Sequence, residues 1–231
     1  MPQTILITGA NRGIGLALAK LYAARGDRVI ATARQPDKAT ALKALTGTAG
    51  VITVHKLDVT SDAETAALAK RLAGSTIDLV IANAGVNAAR GGFDDPLHNE
   101  AAWMTVLMTN VAGAFFTARA FVPHLKASKH GRIAIISSQM GSSARAMGGS
   151  YPYRASKAAA SNVAANLAAD LRPLGIAVGA YHPGWVKTDM GGAAADIPAD
   201  GSAKGLAARF DHLSLATTGV FETYAGEAMP F

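Results

Sequence analysis

The chain has 231 residues, half of them apolar, with 22 lysines and arginines against 16 acidic residues and no cysteine. That length suits one well-buried domain over residues 1–231, and the lack of cysteine excludes disulfides and thiolate metal sites and favours a reducing, cytoplasmic setting. The formal charge of +6 is scattered (Lys20, Arg25, Arg28, Lys38, Lys43, Lys56) without interleaved aromatics, which argues against nucleic acid and for an anionic small molecule; no apolar run reaches the roughly 18–20 residues of a membrane span.

The segment Gln3-Thr4-Ile5-Leu6-Ile7-Thr8 is too short for a signal peptide and predicts a first strand, Thr4–Thr8. It runs directly into Thr8-Gly9-Ala10-Asn11-Arg12-Gly13-Ile14-Gly15 and an apolar-periodic helix, Ile14–Arg25. Glycines in such a turn let the backbone bend tightly and approach a pyrophosphate, while the helix N-terminus offers free N–H groups and the positive end of its dipole. The spacing G-x-x-x-G-x-G is a dinucleotide signal because it sits between a strand and a helix.

A second strand, Arg28–Ala33, ends at Arg34, where an NAD site wants an acid for the ribose hydroxyls. No acid is present, and Arg34 with Arg12 is placed to flank a 2′-phosphate; the plain alternative is two solvated arginines. A helix over Lys38–Leu45, a strand over Val51–Lys56, a helix over Asp62–Leu72 and a strand over Ile77–Ala82 follow. Asn83-Ala84-Gly85 then lies at the carboxyl edge of that fourth strand. A long helix around Ala101–Lys126 carries Asn110 in its middle, where an amide is unfavourable unless something uses it.

The fifth strand, Arg132–Ser137, delivers the hydroxyl of Ser138 to the same edge. Tyr153-Arg154-Ala155-Ser156-Lys157 opens the helix Tyr153–Arg172 and puts phenol and ammonium on one face. An ammonium there is expected to lower the Tyr153 pKa and make it an acid or base near neutrality. Taken alone the pair occurs by chance in many helices. The strand Ile176–His182, a short helix and a seventh strand near Gly219–Tyr224 complete an α/β chain. The alternation predicts a doubly wound parallel sheet of about seven strands, Rossmann-type, with its ligand at the strands' carboxyl ends.

Taken together these pieces resemble the short-chain dehydrogenase/reductase family over nearly the whole chain. Thr8–Gly15 resembles the family's cofactor turn, Asp58-Val59 its adenine-contacting pair and Asn83-Ala84-Gly85 its strand-four motif. Asn110, Ser138, Tyr153 and Lys157 match its catalytic tetrad. Pro183-Gly184-Trp185-Val186-Lys187-Thr188 matches the segment whose threonine holds the nicotinamide carboxamide. The run His182–Gly192 and the ending Gly219–Phe231 look most like the C-factor-like and sniffer-like carbonyl reductases.

The resemblance implies NADP(H) bound by Gly9, Asn11, Arg12, Gly13, Ile14, Gly15, Arg34, Asp58, Val59, Asn83, Ala84, Gly85, Tyr153, Lys157, Pro183, Gly184, Val186 and Thr188. It further implies a small carbonyl or alcohol substrate, Tyr153 as proton donor, Ser138 as hydrogen-bond donor to the substrate oxygen, and Lys157 on Tyr153 and the nicotinamide ribose. Asn110 would support a water-linked relay. A homodimer or homotetramer is implied, and the small residues Ala158–Ala160 and Ala164-Ala165 suit close helix packing.

Two departures stand out. Ala82 replaces a second asparagine, and the Ser138–Tyr153 gap is long, so Ser142 and Ser143 stay open as substitutes. The glycine- and alanine-rich stretches Gly141–Ser150 and Met190–Gly205 (a substrate loop of about 189–205) are expected to shape substrate access, with Met140, Met147, Met190 and Met229 as adaptable wall candidates. Few polar side chains in them favour an apolar carbonyl compound. His55, His98 and His182 show no metal-ligand spacing and are given no catalytic role, and Trp103 and Trp185 read as packing. The competing functions are an NADP(H)-binding regulatory protein and a ketoacyl-thioester reductase.

Overall fold

Apolar runs flanked by helical segments place most strands between two helical layers. The computed structural model describes residues 2–45 and 51–231. The first half contains β1 (Thr4–Ile7), α1 (Gly13–Ala24), β2 (Arg28–Ala33), α2 (Thr40–Lys43), β3 (Val51–Lys56), α3 (Asp62–Arg71) and β4 (Leu79–Ala82). The second contains α4 (Glu100–Leu107), α5 (Gly113–Lys126), β5 (Arg132–Ile136), α6 (Tyr151–Leu171), β6 (Ala177–His182), β7 (Val186–Lys187), β8 (Ile197–Pro198), α7 (Ala199–His212) and β9 (Phe221–Thr223).

Seven strands pair in parallel in the order β3-β2-β1-β4-β5-β6-β9. The chain reverses its progression between β1 and β4, which opens a crevice above their carboxyl ends. One face buries Ile5, Ile7, Leu79 and Tyr181 under α1 and α7; the other buries Leu6, Val80, Ile133 and Val178 under α3, α5 and α6.

The expected helix over Lys38–Leu45 is much shorter. Pro36–Lys38 form a 3₁₀ turn, Ala39 leaves helical geometry at ψ 59°, and only α2 remains. The fourth strand starts at Leu79, later than the apolar run suggests. The Asp78 carboxylate takes Thr4 N at 2.8 Å and Ser128 Oγ at 2.6 Å, pinning the residues that precede the ladder.

The stretch 190–205 is only partly loop. Residues 197–198 pair with β7, and 199–205 belong to α7, a 14-residue helix where a short one is expected. Gly205 serves close packing there, since a Cβ would lie 2.6 Å from the Tyr224 ring.

The helical segment Glu100–Lys126 is long and apolar enough to cross a membrane by length and composition, with mean hydropathy 1.3. The run is not uninterrupted, since Thr105, Thr109 and Asn110 fall within it, and its average stays high because charged residues are rare here. Its Ala114, Ala118, Phe121 and Leu125 are packed into the sheet's core. A π-helical turn, Met108–Ala112, interrupts it around Asn110. Such turns are rare and concentrate at functional sites.

Candidate active site

Two turns meet at the switch point. Thr8 Oγ1 accepts the backbone N–H groups of Asn83 (3.0 Å) and Ala84 (3.1 Å), and Asn83 Nδ2 donates to the carbonyls of Thr8 (2.9 Å) and Gly9 (3.1 Å). The glycine turn is thereby fastened to the strand-four turn. A Cβ at Gly15 would collide with Gly9 O and sit 2.5 Å from Asn83 Nδ2. Gly9 (φ 64°) and Gly13 (φ 54°) also require the left-handed region.

These turns floor a cavity of about 780 Å³ that extends from Arg34, Lys38 and Lys56 past Asp58 and Val59 to Tyr153, Lys157 and Thr188. A volume of this order suits a cofactor-sized ligand. The glycine cradle, the start of α1 and the basic end without an acid after β2 together fit an extended anion with an extra phosphate. Arg12 sits at the rim, its Nη1 paired with Asp189 Oδ2 at 2.9 Å.

At the other end, α6 begins after Ser150, which adopts the left-handed region at φ 48°. A non-glycine residue there is strained and needs support. Ser150 Oγ donates to Arg90 O at 3.2 Å and Ser150 N to Gly91 O at 3.0 Å. The start of α6, and with it Tyr153, is thus anchored to the segment after β4.

Lys157 is buried, and its ammonium donates to Ile136 O at 2.7 Å while lying 5.5 Å from the Tyr153 ring centroid. Desolvation lowers its pKa to about 8. The expectation that this ammonium lowers the Tyr153 pKa does not hold here. Desolvation pushes the phenol above its ordinary value, and what opposes it is the hydrogen bond with Ser138 and the charge of Arg90. The ammonium is engaged with a carbonyl over the ring face.

Ser138 lies two residues beyond β5, and its Oγ accepts Met140 N at 3.1 Å while bonding to Tyr153. That geometry separates it from Ser142, which is buried without a partner, and from Ser143, which is exposed. Ser137 faces α6, donating to Lys157 O at 2.9 Å. Asn110 is buried behind Gly85 and Lys157. Its Oδ1 accepts Val86 N (2.8 Å), and its Nδ2 donates to Val86 O (3.0 Å) and Ser156 Oγ (2.9 Å).

Of the residues expected to hold the cofactor, all except Gly184 and Val186 line the cavity. Gly184 (φ 85°) turns the chain beneath it against Ile197, and Val186 is buried in the β7–β8 pair. Sequence reasoning missed Gln35, Lys38, Lys56, Leu57, Glu64, Val86 and Thr109 as lining residues. The signal for Lys38 is its place shortly after β2; Thr109 and Val86 carry none, because tertiary approach alone brings them in.

Met190 lines the cavity, Met140 is half-buried beside Ser138, Met147 is fully at the surface and Met229 is in the core. Trp185 is half-exposed, with Nε1 donating to Gly191 O at 2.9 Å. In α6, Ala160 and Ala164 are spent on the chain's own core, which leaves Ala158, Ala159 and Ala165 partly open.

Residues 3–197 match the short chain dehydrogenase family model. The chain is 35% identical over 166 residues to the C-signal protein of Myxococcus xanthus, covering 71% of this chain and 99% of that one. It is 32% identical over 193 residues to 3-oxoacyl-[acyl-carrier-protein] reductase FabG of Escherichia coli, covering 83% and 76%. The NADPH-bound carbonyl reductase from chicken fatty liver superposes with TM-score 0.92 at 32% identity, over 100% and 99% of the two chains. Carbonyl reductase Sniffer of D. melanogaster superposes with TM-score 0.91 at 27% identity, over the whole of both chains. Fold, turn chemistry and these likenesses converge: the chain belongs to the short-chain dehydrogenase/reductase family of oxidoreductases.

Proposed function

We propose that the chain is an NADPH-dependent reductase of a small carbonyl compound, acting through Ser138, Tyr153 and Lys157. The observation that carries this reading is the convergence of the three groups at the strand ends, beside a glycine cradle where β2 runs into Arg34, with Lys38 near, instead of into an acid. When bound, the dinucleotide supplies hydride to the carbonyl carbon.

The residues do the rest. Arg34 and Lys38, with Arg12, would hold the 2′-phosphate; the turn 9–15 would hold the pyrophosphate; Asp58 and Val59 would flank the adenine; Asn83, Ala84, Gly85, Pro183 and Thr188 would position the nicotinamide end. Ser138 donates a hydrogen bond to the substrate oxygen as charge develops there. Tyr153 delivers its proton to that oxygen; a phenol that burial keeps protonated is suited to donate. Lys157 faces the ring of Tyr153 and would bind the nicotinamide ribose. The Asn110 amide is engaged by Val86 and Ser156, so its part would be to hold the segment after β4 against the start of α6 beside the relay.

NADPH oxidation against aldehydes, quinones, aromatic diketones and a β-ketoacyl thioester, with Tyr153→Phe alongside, tests the assignment. Turnover lost in the variant supports it; equal turnover in both overturns it. The likeness to C-signal keeps a cofactor-binding regulator as the second reading, and tight NADPH binding with no turnover on any carbonyl would favour it. The likeness to FabG keeps the thioester in the panel. We place the protein in the cytoplasm as a homo-oligomer without nucleic-acid or membrane partners, which size-exclusion chromatography and cell fractionation check.

A further inference from the structure

Near Tyr153, outside the lining of the cofactor cavity, stand two arginines that the reductase chemistry does not use. Arg145 closes the 3₁₀ turn Ser143–Arg145, and its Nη1 donates to Gln139 Oε1 at 3.1 Å, next to Ser138. Arg90 is anchored against Ser150, three residues ahead of Tyr153 in sequence. Both guanidinium-bearing residues are exposed, and among the described residues the ion pairs all lie elsewhere. Asp95 abuts Gly91, but its Oδ1 accepts Leu97 N at 2.9 Å. The charges are felt inside: Arg90 acts on the Tyr153 phenol and Arg145 on the His182 imidazole.

An independent observation points to the same place. Ser142 Oγ and His182 Nδ1 are buried and have no hydrogen-bond partner, with the residues 2% and 7% exposed. The Ile136–Tyr181 pairing sets His182 level with Ser137, one residue before Ser138, and Ser142 starts the turn that ends in Arg145. Unpaired buried groups of this kind are costly and call for a partner.

We propose that the cleft selects carbonyl substrates carrying a second, anionic group, held by Arg145 beside the Ser142 hydroxyl and the His182 imidazole, with Arg90 adding positive potential at Tyr153. This rests on the reductase reading for its chemistry, and its binding component can be measured separately. Neutral donors plus one guanidinium suit a carboxylate or phosphate oxygen. Exposed Phe93 and Met147, with the Tyr151 ring edge-on to Phe93 (6.4 Å) and His98 (5.4 Å), supply an apolar rim for the carbon skeleton. The substrate class is therefore an aryl or long-chain oxo-acid, or a thioester whose carrier arm bears phosphate.

The test compares 4-formylbenzoate with its methyl ester, and a β-ketoacyl coenzyme A thioester with the corresponding N-acetylcysteamine thioester. The expected result is a kcat/KM at least about tenfold higher for the anionic member of one pair, shrinking as salt is raised. Whichever pair shows it identifies carboxylate or phosphate as the source. Arg145→Gln should collapse the ratio, Arg145→Lys should restore part of it, and the remote Arg172→Gln should leave it intact. Direct titration of 4-formylbenzoate and of the coenzyme A thioester onto Tyr153→Phe, with and without Arg145→Gln, reads binding without turnover; about a tenfold rise in Kd is expected for the preferred ligand. Neutral members handled as well as anionic ones, or Kd values indifferent to Arg145, overturn the proposal while leaving the reductase reading standing. Failure to turn over any carbonyl, with an Arg145-dependent Kd, overturns the reductase reading alone.

Discussion

The two ends of the cleft are built differently. At the cofactor end, Thr8, Asn83 and the glycine turn saturate one another with short hydrogen bonds, and added atoms at Gly15 have nowhere to go. At the substrate end, Asn87, His98, Ser142 and His182 each bury a polar atom without a partner, and among the described residues no carboxylate pairs with Arg90 or Arg145. The first end is complementary to itself and shaped for one ligand. The second, on the proposal above, leaves those groups to a bound anion, and such an end is where specificity can vary on a shared scaffold.

The sharpest break between the two ends is Tyr153→Phe. Positioned acid catalysis is worth about 10²–10⁴-fold, so kcat should fall by that factor while the dissociation constant for NADPH, read by fluorescence, changes only a few-fold. A variant that loses cofactor affinity in proportion to turnover would place Tyr153 on the cofactor side of the divide.

Next in size is Arg34→Asp, which puts an acid where ribose hydroxyls would accept one. Losing a charge-assisted contact costs about 1.5–3 kcal/mol, so the preference for NADPH over NADH should drop about 10–100-fold in kcat/KM. An unchanged preference would shift the 2′-phosphate to Lys38 and Arg12.

Gly15→Ala tests how rigid the first end is. Overpacking costs about 1–3 kcal/mol, and the melting temperature should fall several degrees with weakened NADPH binding. The matched change at Gly92, where a Cβ meets nothing within 4 Å, should be near neutral.

The same contrast explains what could be read from the sequence. The glycine turn, Arg34, Ser138, Tyr153 and Lys157 were legible because their chemistry is tied to local pattern: a strand, a turn, an i, i+4 spacing. β2 and β3 were legible to the residue because β-branched runs are bounded by turn formers. Long-range facts were not. The commitment of Asn110 to Val86 and Ser156, the packing of Gly205 on Tyr224 and the effect of the Arg145 charge on His182 each depend on residues far apart in sequence. The pKa of Tyr153 was misjudged for the same reason: pairing is visible in a sequence, whereas burial depends on the whole fold.

Buried bases carry that burial into pH dependence. Lys157 titrates near 8 when folded against an ordinary 10.5. Between those values the unfolded chain binds the extra proton, so unfolding free energy rises with pH. Tyr153, held above 10.0 by burial, reverses the trend only at higher pH. Denaturant melts should show stability rising from pH 8 to 10 in the wild type and a flatter profile in Lys157→Met; equal slopes would mean that the ammonium is better solvated than its surroundings suggest.

His182 gives the smallest and most local effect. Burial, reinforced by Arg145, lowers its pKa from 6.5 to about 4. Between these values the folded chain holds fewer protons than the unfolded one, so stability is lost as pH falls from 6.5 towards 4. Carboxylates join in near pH 4, which makes pH 5–6.5 the window to measure. His182→Gln should flatten that window, and Arg145→Gln should flatten it in part, because removing the guanidinium removes only the second cause. A bound carboxylate at Arg145 would also stabilise the imidazolium. Adding 4-formylbenzoate to the wild type should therefore flatten the same window, whereas its methyl ester should leave the slope as it was; identical slopes with both ligands would separate His182 from the anion and return it to the core as a plain buried histidine.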